Sequence, residues 1–274
     1  CALPIYNNWG PWSLGVNANL SDVINKIEDM KGTYNSSGVI RNQEGYSINS
    51  LYMLKCLGIV QSQEQADWIN DTCPQYSQIT HPGDLYYEDI AGALDEHGNP
   101  IPDGKIDDND RQILGSLIPR YTYGLVLDLG WKGLNLSVQF QGVGKADAYI
   151  SGGFTQPCVS GNTFRSEHMD NWTPDNPGAK FPRLSYTSDL NKKVSTFWMA
   201  DASYLRLKNL QLSWSLPKKA LSALKIKNLT LFANATNLFS LDNYYQGYDP
   251  ETAYQSGSQG ATTGSIGDVY PLVS

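Results

Sequence analysis

The feature that most constrains this chain is a period of two. In YTYGLVLDLGW, Tyr121, Tyr123, Leu125, Leu127, Leu129 and Trp131 fall on one face, with Thr122, Gly124 and Asp128 on the other. Two residues further on, LNLSVQF sets Leu134, Leu136, Val138 and Phe140 against Asn135, Ser137 and Gln139. Successive side chains of a strand point to opposite faces, so each segment is a strand with one apolar face. Lys132-Gly133 between them has the length of a hairpin turn. The pattern recurs in WSLGVNANL (12–20), YLRLKNLQLSWSLP (204–217) and LTLFANATNLF (229–239). In the second of these the leucine parity shifts at Asn209, which places a β-bulge there. Residues 44–57 are expected to be another strand, with a less regular pattern. Helix is confined to connectors. Ser62 followed by Gln65 has capping-box spacing, and Pro217 to Leu224 starts with a first-turn proline.

The links between strands alternate in length. Lys132-Gly133 and 217–227 are short; 58–120, 144–200 and 240–271 are long. With antiparallel strands between them, every long segment leaves at one end of the sheet. That asymmetry is the plan of an outer-membrane barrel. Residues 21–43 are then a connection at the short-turn end, though a long one. Alternation alone leaves two packings open. In a soluble, carbohydrate-binding β-sandwich the apolar face points into the core. In an antiparallel transmembrane β-barrel it points to lipid, and the polar face encloses a lumen. Two features favour the barrel. The polar faces carry Asn, Gln, Ser, Thr and Gly rather than Lys or Glu. Trp12, Tyr121, Tyr123, Trp131 and Trp214 lie near strand ends, as in an aromatic girdle.

Composition removes several function classes. The net charge of -7 and the absence of a basic patch exclude nucleic acid as a partner. No run of about 18 apolar residues exists, which excludes a transmembrane helix and leaves strands open. The 17 tyrosines and 7 tryptophans suit surfaces that are greasy at one end and wet at the other. Cys1, Cys56, Cys73 and Cys158 form no C-x-x-C pair, so zinc or dithiol chemistry is not indicated. Cys73 and Cys158 either pair in an oxidising compartment or stay free thiols. His81, His97 and His168 share no spacing. Glu167 and Asp170 near Trp172 are read as surface acids of a long loop. No catalytic set converges, so the chain is not expected to be an enzyme.

The stretch DGKIDDNDR (103–111) holds four aspartates. Asp103, the Lys105 carbonyl, Asp107 and Asp110 match the later positions of an EF-hand-like calcium loop, with Gly104 at the sharp turn. The first position falls to Asp89, with residues 93–102 inserted as a hairpin, or to Asn99, which puts the non-coordinating Ile101 third. Aspartate at the last position shortens the bidentate reach. The competing reading is a solvated turn whose carboxylates bond their own backbone. Ca2+ there would stiffen a loop rather than catalyse. Trp172, Trp198, Tyr244 and Tyr245 are candidates to stack on a sugar or peptide or to meet a partner, with packing of the long loops as the competing role.

GDLYYEDI and DGKIDDNDRQILG (83–115), YTYGLVLDLGWKGLNLSVQFQGVG (121–144), SYLRLKNLQLSWSLPKKAL (203–221) and LTLFANATNLFSLDNYYQGYDPE (229–251) occur in that order. GYSINSLYMLKCLGIVQSQEQAD (45–67) precedes them. Together they resemble the C-terminal barrel of SusC/RagA-type TonB-dependent outer-membrane transporters, over nearly the whole of 1–274. The resemblance implies an outer-membrane location and a large barrel plugged by an N-terminal domain. It implies import of oligosaccharides or peptides with TonB-derived energy, and a SusD-like surface lipoprotein over the mouth. The chain is expected to be a fragment: it carries no plug or TonB-contacting segment, and it stops near where the family's last strand begins.

Overall fold

The computed structural model describes residues 2–151, 155, 157, 164–223, 225–244 and 249–251. In chain order its elements are β1 (Ala2–Trp9), β2 (Trp12–Asp22), β3 (Tyr34–Ser37), β4 (Ile40–Gln43), β5 (Ser50–Met53), β6 (Cys56–Ile59) and α1 (Gln63–Thr72). Then follow β7 (Leu85–Tyr87), β8 (Gln112–Ser116), β9 (Tyr121–Trp131), β10 (Leu134–Gly144), β11 (Asp147–Tyr149), β12 (Met199–Asp201), β13 (Tyr204–Ser215), α2 (Lys218–Ala223) and β14 (Thr230–Asp242).

The long strands form one six-stranded antiparallel sheet in the order β1-β2-β9-β10-β13-β14. The registers bring the alternation of separate strands onto shared faces. Trp12, Trp131, Leu134, Trp214 and Leu231 lie side by side from β2 to β14. Leu14, Leu129, Leu136, Leu212 and Ala233 make the next row. The opposite face carries Gly15, Asp128, Ser137, Gln211 and Asn234 at one level, and Asn17, Val126, Gln139, Asn209 and Thr236 at another. The tryptophan row sits at the short-turn end, where the Trp12 and Trp131 rings meet with centroids 5.6 Å apart. The turn from β9 to β10 has Lys132 and Gly133 both at positive φ, 45° and 88°. That geometry matches the right-handed twist of the flanking strands.

The apolar face has no cover among the described residues. Leu129, Trp131, Leu134, Leu212 and Trp214 are exposed. Leu125, Leu127, Leu134 and Leu136 belong to none of the buried clusters. A sandwich buries this face under a second sheet; here the chain's core lies elsewhere. The bulge falls where the parity shift puts it. β13 skips Lys208 between Leu207 and Asn209 in its pairing with both neighbours. Arg206, Lys208 and Asn209 are thereby turned to the polar face, although Leu207 and Leu210 both keep to the apolar one.

Three expectations are corrected. A strand absent from the reading, β1, pairs with residues 12–19 of β2 across the Gly10-Pro11 turn; Pro4 and the Asn7-Asn8 pair interrupt its alternation. Proline is tolerated there because β1 is an edge strand of this sheet. Residues 44–57 do not cross beside β2. They hold β5 and the start of β6, four residues each, too short to span a bilayer, which takes about 9–11 residues. Residues 23–43 are not at the short-turn end either. Because β2 pairs directly with β9, everything from 23 to 120 is one excursion at the long-loop end.

That excursion and the one from 145 to 203 form a layer with its own small sheets, β3-β4-β5-β8, β6-β7 and β11-β12. The layer holds most of the buried apolar residues. Leu51, Met53, Tyr149, Ile150, Phe181 and Trp198 make one cluster, and Leu54, Leu85, Tyr87 and Ile106 another. The two excursions share backbone. Leu54 donates to the Val194 carbonyl at 3.0 Å and accepts from the Thr196 N–H at 2.9 Å. Both short helices form as expected. Ser62 caps α1, its hydroxyl accepting from the Gln65 N–H at 3.1 Å.

Candidate functional site

The polar face of the sheet and the layer above it are the two places where polar side chains concentrate. The wall of amides and hydroxyls between the β2 and β14 rows is nearly uncharged. A cavity of about 440 Å³ opens on it near the short-turn end, lined by Tyr6, Ser13, Asp128, Asn135, Ser137 and Gln211 among others.

Near the other end of the wall stands Arg206, 1% exposed. Its guanidinium forks onto Asp249: Nη1 donates to Oδ2 at 3.1 Å and Nη2 to Oδ1. Nη1 also reaches Glu251 Oε2 at 2.7 Å. Lys208 completes the group, its Nζ donating to both Glu251 oxygens at 3.1 and 2.9 Å. A planar guanidinium matches a carboxylate with two parallel hydrogen bonds, which fixes geometry as well as charge.

In the layer, Asp84 is fully buried. Arg183 Nε donates to its Oδ1 at 2.7 Å, and Nη2 to its Oδ2 at 3.0 Å. Asn191 Nδ2 adds a bond to Oδ1 at 3.1 Å and the His81 N–H one to Oδ2 at 2.9 Å. Asn191 also accepts from the Leu85 N–H at 2.8 Å. Five groups thus tie the excursion before β9 to the one after β10. The residues of both knots escaped the sequence reading. The one signal for Arg206 was a pair of cations, with Lys208, set into an otherwise neutral strand face.

The aspartates of 103–111 are spent on backbone. Asp110, 1% exposed, accepts from the Ile90 and Ala91 N–H groups on Oδ1, both at 2.9 Å, and from the Asp107 N–H on Oδ2 at 2.7 Å. Asp89 accepts from the N–H groups of Asp103 at 3.2 Å and Gly104 at 2.7 Å. Asp103 accepts from the Lys105 N–H, and Asp107 from the Asn109 N–H. The last bond and the Lys105 ammonium hold the Asp107 carboxyl below its ordinary range. Among the described residues no three acidic, histidine or cysteine side chains are placed to share a metal. Asp89, Asp103, Asp107 and Asp110 each give at least one carboxylate oxygen to a backbone N–H group, and Lys105 pairs with Asp107.

Cys73 abuts this turn, its thiol 3.7 Å from Asp89 Oδ2. Burial, then the charge of Asp89, push its pKa up to about 11. Cys56 is pushed to about 11 by burial alone. Only the thiolate is nucleophilic, so both should alkylate slowly at pH 8, roughly ten- to a hundredfold slower than an unperturbed cysteine. Peptide-resolved mass spectrometry of iodoacetamide adducts checks this. A calcium ion among the aspartates would lower the Cys73 pKa and speed its labelling without touching Cys56. No acceleration is expected at millimolar calcium. Cys73 and Cys56 are free thiols; Cys158, the partner considered for Cys73, lies outside the described residues.

The candidate aromatics divide. Trp172 is 7% exposed, its Nε1 donating to Gln61 Oε1 at 3.1 Å. It lies against Gly83, where a Cβ would sit 2.4 Å from the indole and φ is +88°. Trp198 is 2% exposed and donates to the Asn191 carbonyl at 3.1 Å. Both indoles pack the layer. Tyr244 is half-buried just past β14, its N–H bonded to Asp242. Tyr245 and most of 240–271 lie outside the described residues.

No family model matches the chain. It is 30% identical over 228 residues to TonB-dependent receptor P26 of Formosa agariphila, covering 82% of this chain and 21% of that protein. TonB-dependent receptor P3 of the same organism is 26% identical over 230 residues, with 82% and 21% covered. The chain therefore spans about a fifth of the length of the curated relatives it matches. Among solved structures, the RagAB peptide importer in its closed-closed state superposes with a TM-score of 0.63 at 22% identity, covering 99% of this chain and 27% of that one. The open-open state gives 0.59 at 21% identity, with 91% and 25% covered. This likeness establishes an all-β, barrel-type fold.

Proposed function

From this chain's membership of the SusC/RagA-type TonB-dependent receptors we infer that it forms wall and outer loops of an outer-membrane importer. The observation that carries the reading is the open apolar face of six antiparallel strands, with both long excursions among the described residues at one end. A face of that size is stable against hydrocarbon and costly against water. The excursions 23–120 and 145–203 are then extracellular, and the polar wall faces the lumen. The cargo is an oligosaccharide or a peptide. The energy comes from the TonB complex acting on parts of the receptor outside these residues, and a SusD-like lipoprotein covers the mouth. No enzymatic step is assigned, in keeping with relatives named as receptors and importers.

The test uses cells making the complete receptor. A fluorescent peptide digest and a fluorescent neutral oligosaccharide digest are offered separately. One of them should accumulate in the periplasm and stop accumulating when the proton motive force is dissipated. A receptor that extracts into water without detergent, or takes up neither probe, overturns the reading.

A further inference from the structure

We propose that Arg206 is a positioning residue of the import path: it holds the segment Asp249–Glu251 against the inner wall, where that segment narrows the conduit. This rests on the importer reading above. The geometry begins with the bulge. By skipping Lys208 in the pairing, β13 turns Arg206, Lys208 and Asn209 to one face, the face shared with Gln141 and Gln139. That face encloses the lumen when the opposite one meets lipid. A buried guanidinium on it needs carboxylates, and among the described residues no strand supplies them. Both come from beyond β14.

The path of the chain shows what the pairing does. The last rung of β14 joins Asp242 to Tyr204, and Ser240 is the residue opposite Arg206. Asp249, bonded to Arg206, therefore lies two residues below that last rung, on the polar side. The three-residue stretch Asp249-Pro250-Glu251 thus lies against the wall below the mouth. Proline stiffens it, and the Asp249 Oδ1 also accepts from the Glu251 N–H at 2.9 Å, so the two carboxylates are held as a unit. Arg206 and Lys208 against Asp249 and Glu251 give two positive and two negative charges. The cluster is neutral as a whole, so removing Arg206 or Asp249 leaves an unbalanced charge at a buried place. A strap fixed in this way does not sample the lumen freely. Arg206 acts on cargo through the strap.

The experiment uses the complete receptor in the outer membrane, with Arg206→Gln, Arg206→Lys and Asp249→Asn. Barrel assembly is checked by heat-modifiable mobility on gels. Two readouts follow: protease cleavage within residues 245–260 on intact cells, and uptake of whichever labelled digest the unaltered receptor imports. Arg206→Gln is expected to raise cleavage at least tenfold and to reduce uptake to a similar degree, with surface amount unchanged. Arg206→Lys, which keeps the charge and loses the fork, should fall between. If Arg206→Gln fails to assemble, Asp249→Asn reports from the loop side without altering a strand. Unchanged cleavage, or raised cleavage with undiminished uptake, overturns the proposal. If the unaltered receptor imports neither digest, the importer reading fails instead.

Discussion

Arginine in place of Leu127 is expected to destabilise the assembled barrel by about 2–4 kcal/mol, whereas arginine in place of Gln139 is expected to be tolerated. The contrast is steep because the two positions are neighbours. Leu127 pairs with Val138, the residue before Gln139, halfway along β9 and β10. Leu127 lies in the apolar row with Val16 and Leu210; Gln139 lies in the polar row with Asn17 and Asn209. A cation on the lipid side near the bilayer midplane costs that much, and on the lumen side it changes selectivity rather than stability. Urea unfolding of the complete receptor in lipid vesicles, followed by tryptophan emission, measures both variants. Equal tolerance of the two arginines would mean that Leu127 does not face hydrocarbon.

Alanine in place of Asp84 is expected to cost the extracellular layer about 3–5 kcal/mol, because it strands a guanidinium among buried groups. The Arg183 side chain is 27% exposed, so water rescues part of it and the lower end applies. Three other donors also lose their acceptor: the His81 N–H, Asn191 Nδ2 and the second guanidinium nitrogen. A double replacement, Asp84→Leu with Arg183→Met, removes the stranded charge but not the orphaned amide groups, so it should recover only part of the loss. Hydrogen exchange at Leu85 and Arg183 is the direct readout, since their N–H groups bond to Asn191 Oδ1 and the Gly83 carbonyl. The strands of the main sheet should keep their protection. Unchanged exchange at both amides would show that the ion pair does not hold the excursions together.

The two variants probe different parts of the chain, and those parts were unequally legible in its sequence. Strands β9, β10, β13 and β14 were visible because each carries a run of two-residue alternation, and a face is readable from such a period without knowing its neighbours. The Ser62 cap and the Asn209 parity shift were visible for the same reason, since each is decided within a few residues. β1 was hidden by Pro4 and two adjacent asparagines. Residues 44–57 misled because a short apolar strand looks alike whether it crosses a membrane or lies buried in a loop layer. The aspartates of 103–111 were ambiguous in kind: carboxylates at alternate positions serve a cation or a row of backbone N–H groups equally well, and only the path of the chain around them chose the N–H groups.

Sequence by itself determined strands β2, β9, β10, β13 and β14, their two faces and the bulge, because those follow from the order of neighbouring residues. Tertiary structure alone decided that Asp84 meets Arg183 across 99 residues and that Arg206 meets Asp249 across 43. A lone buried charge is unstable anywhere, so each of these residues had to find a partner. Which partner depended on which excursions the sheet brings out at the same end, and no local pattern records that.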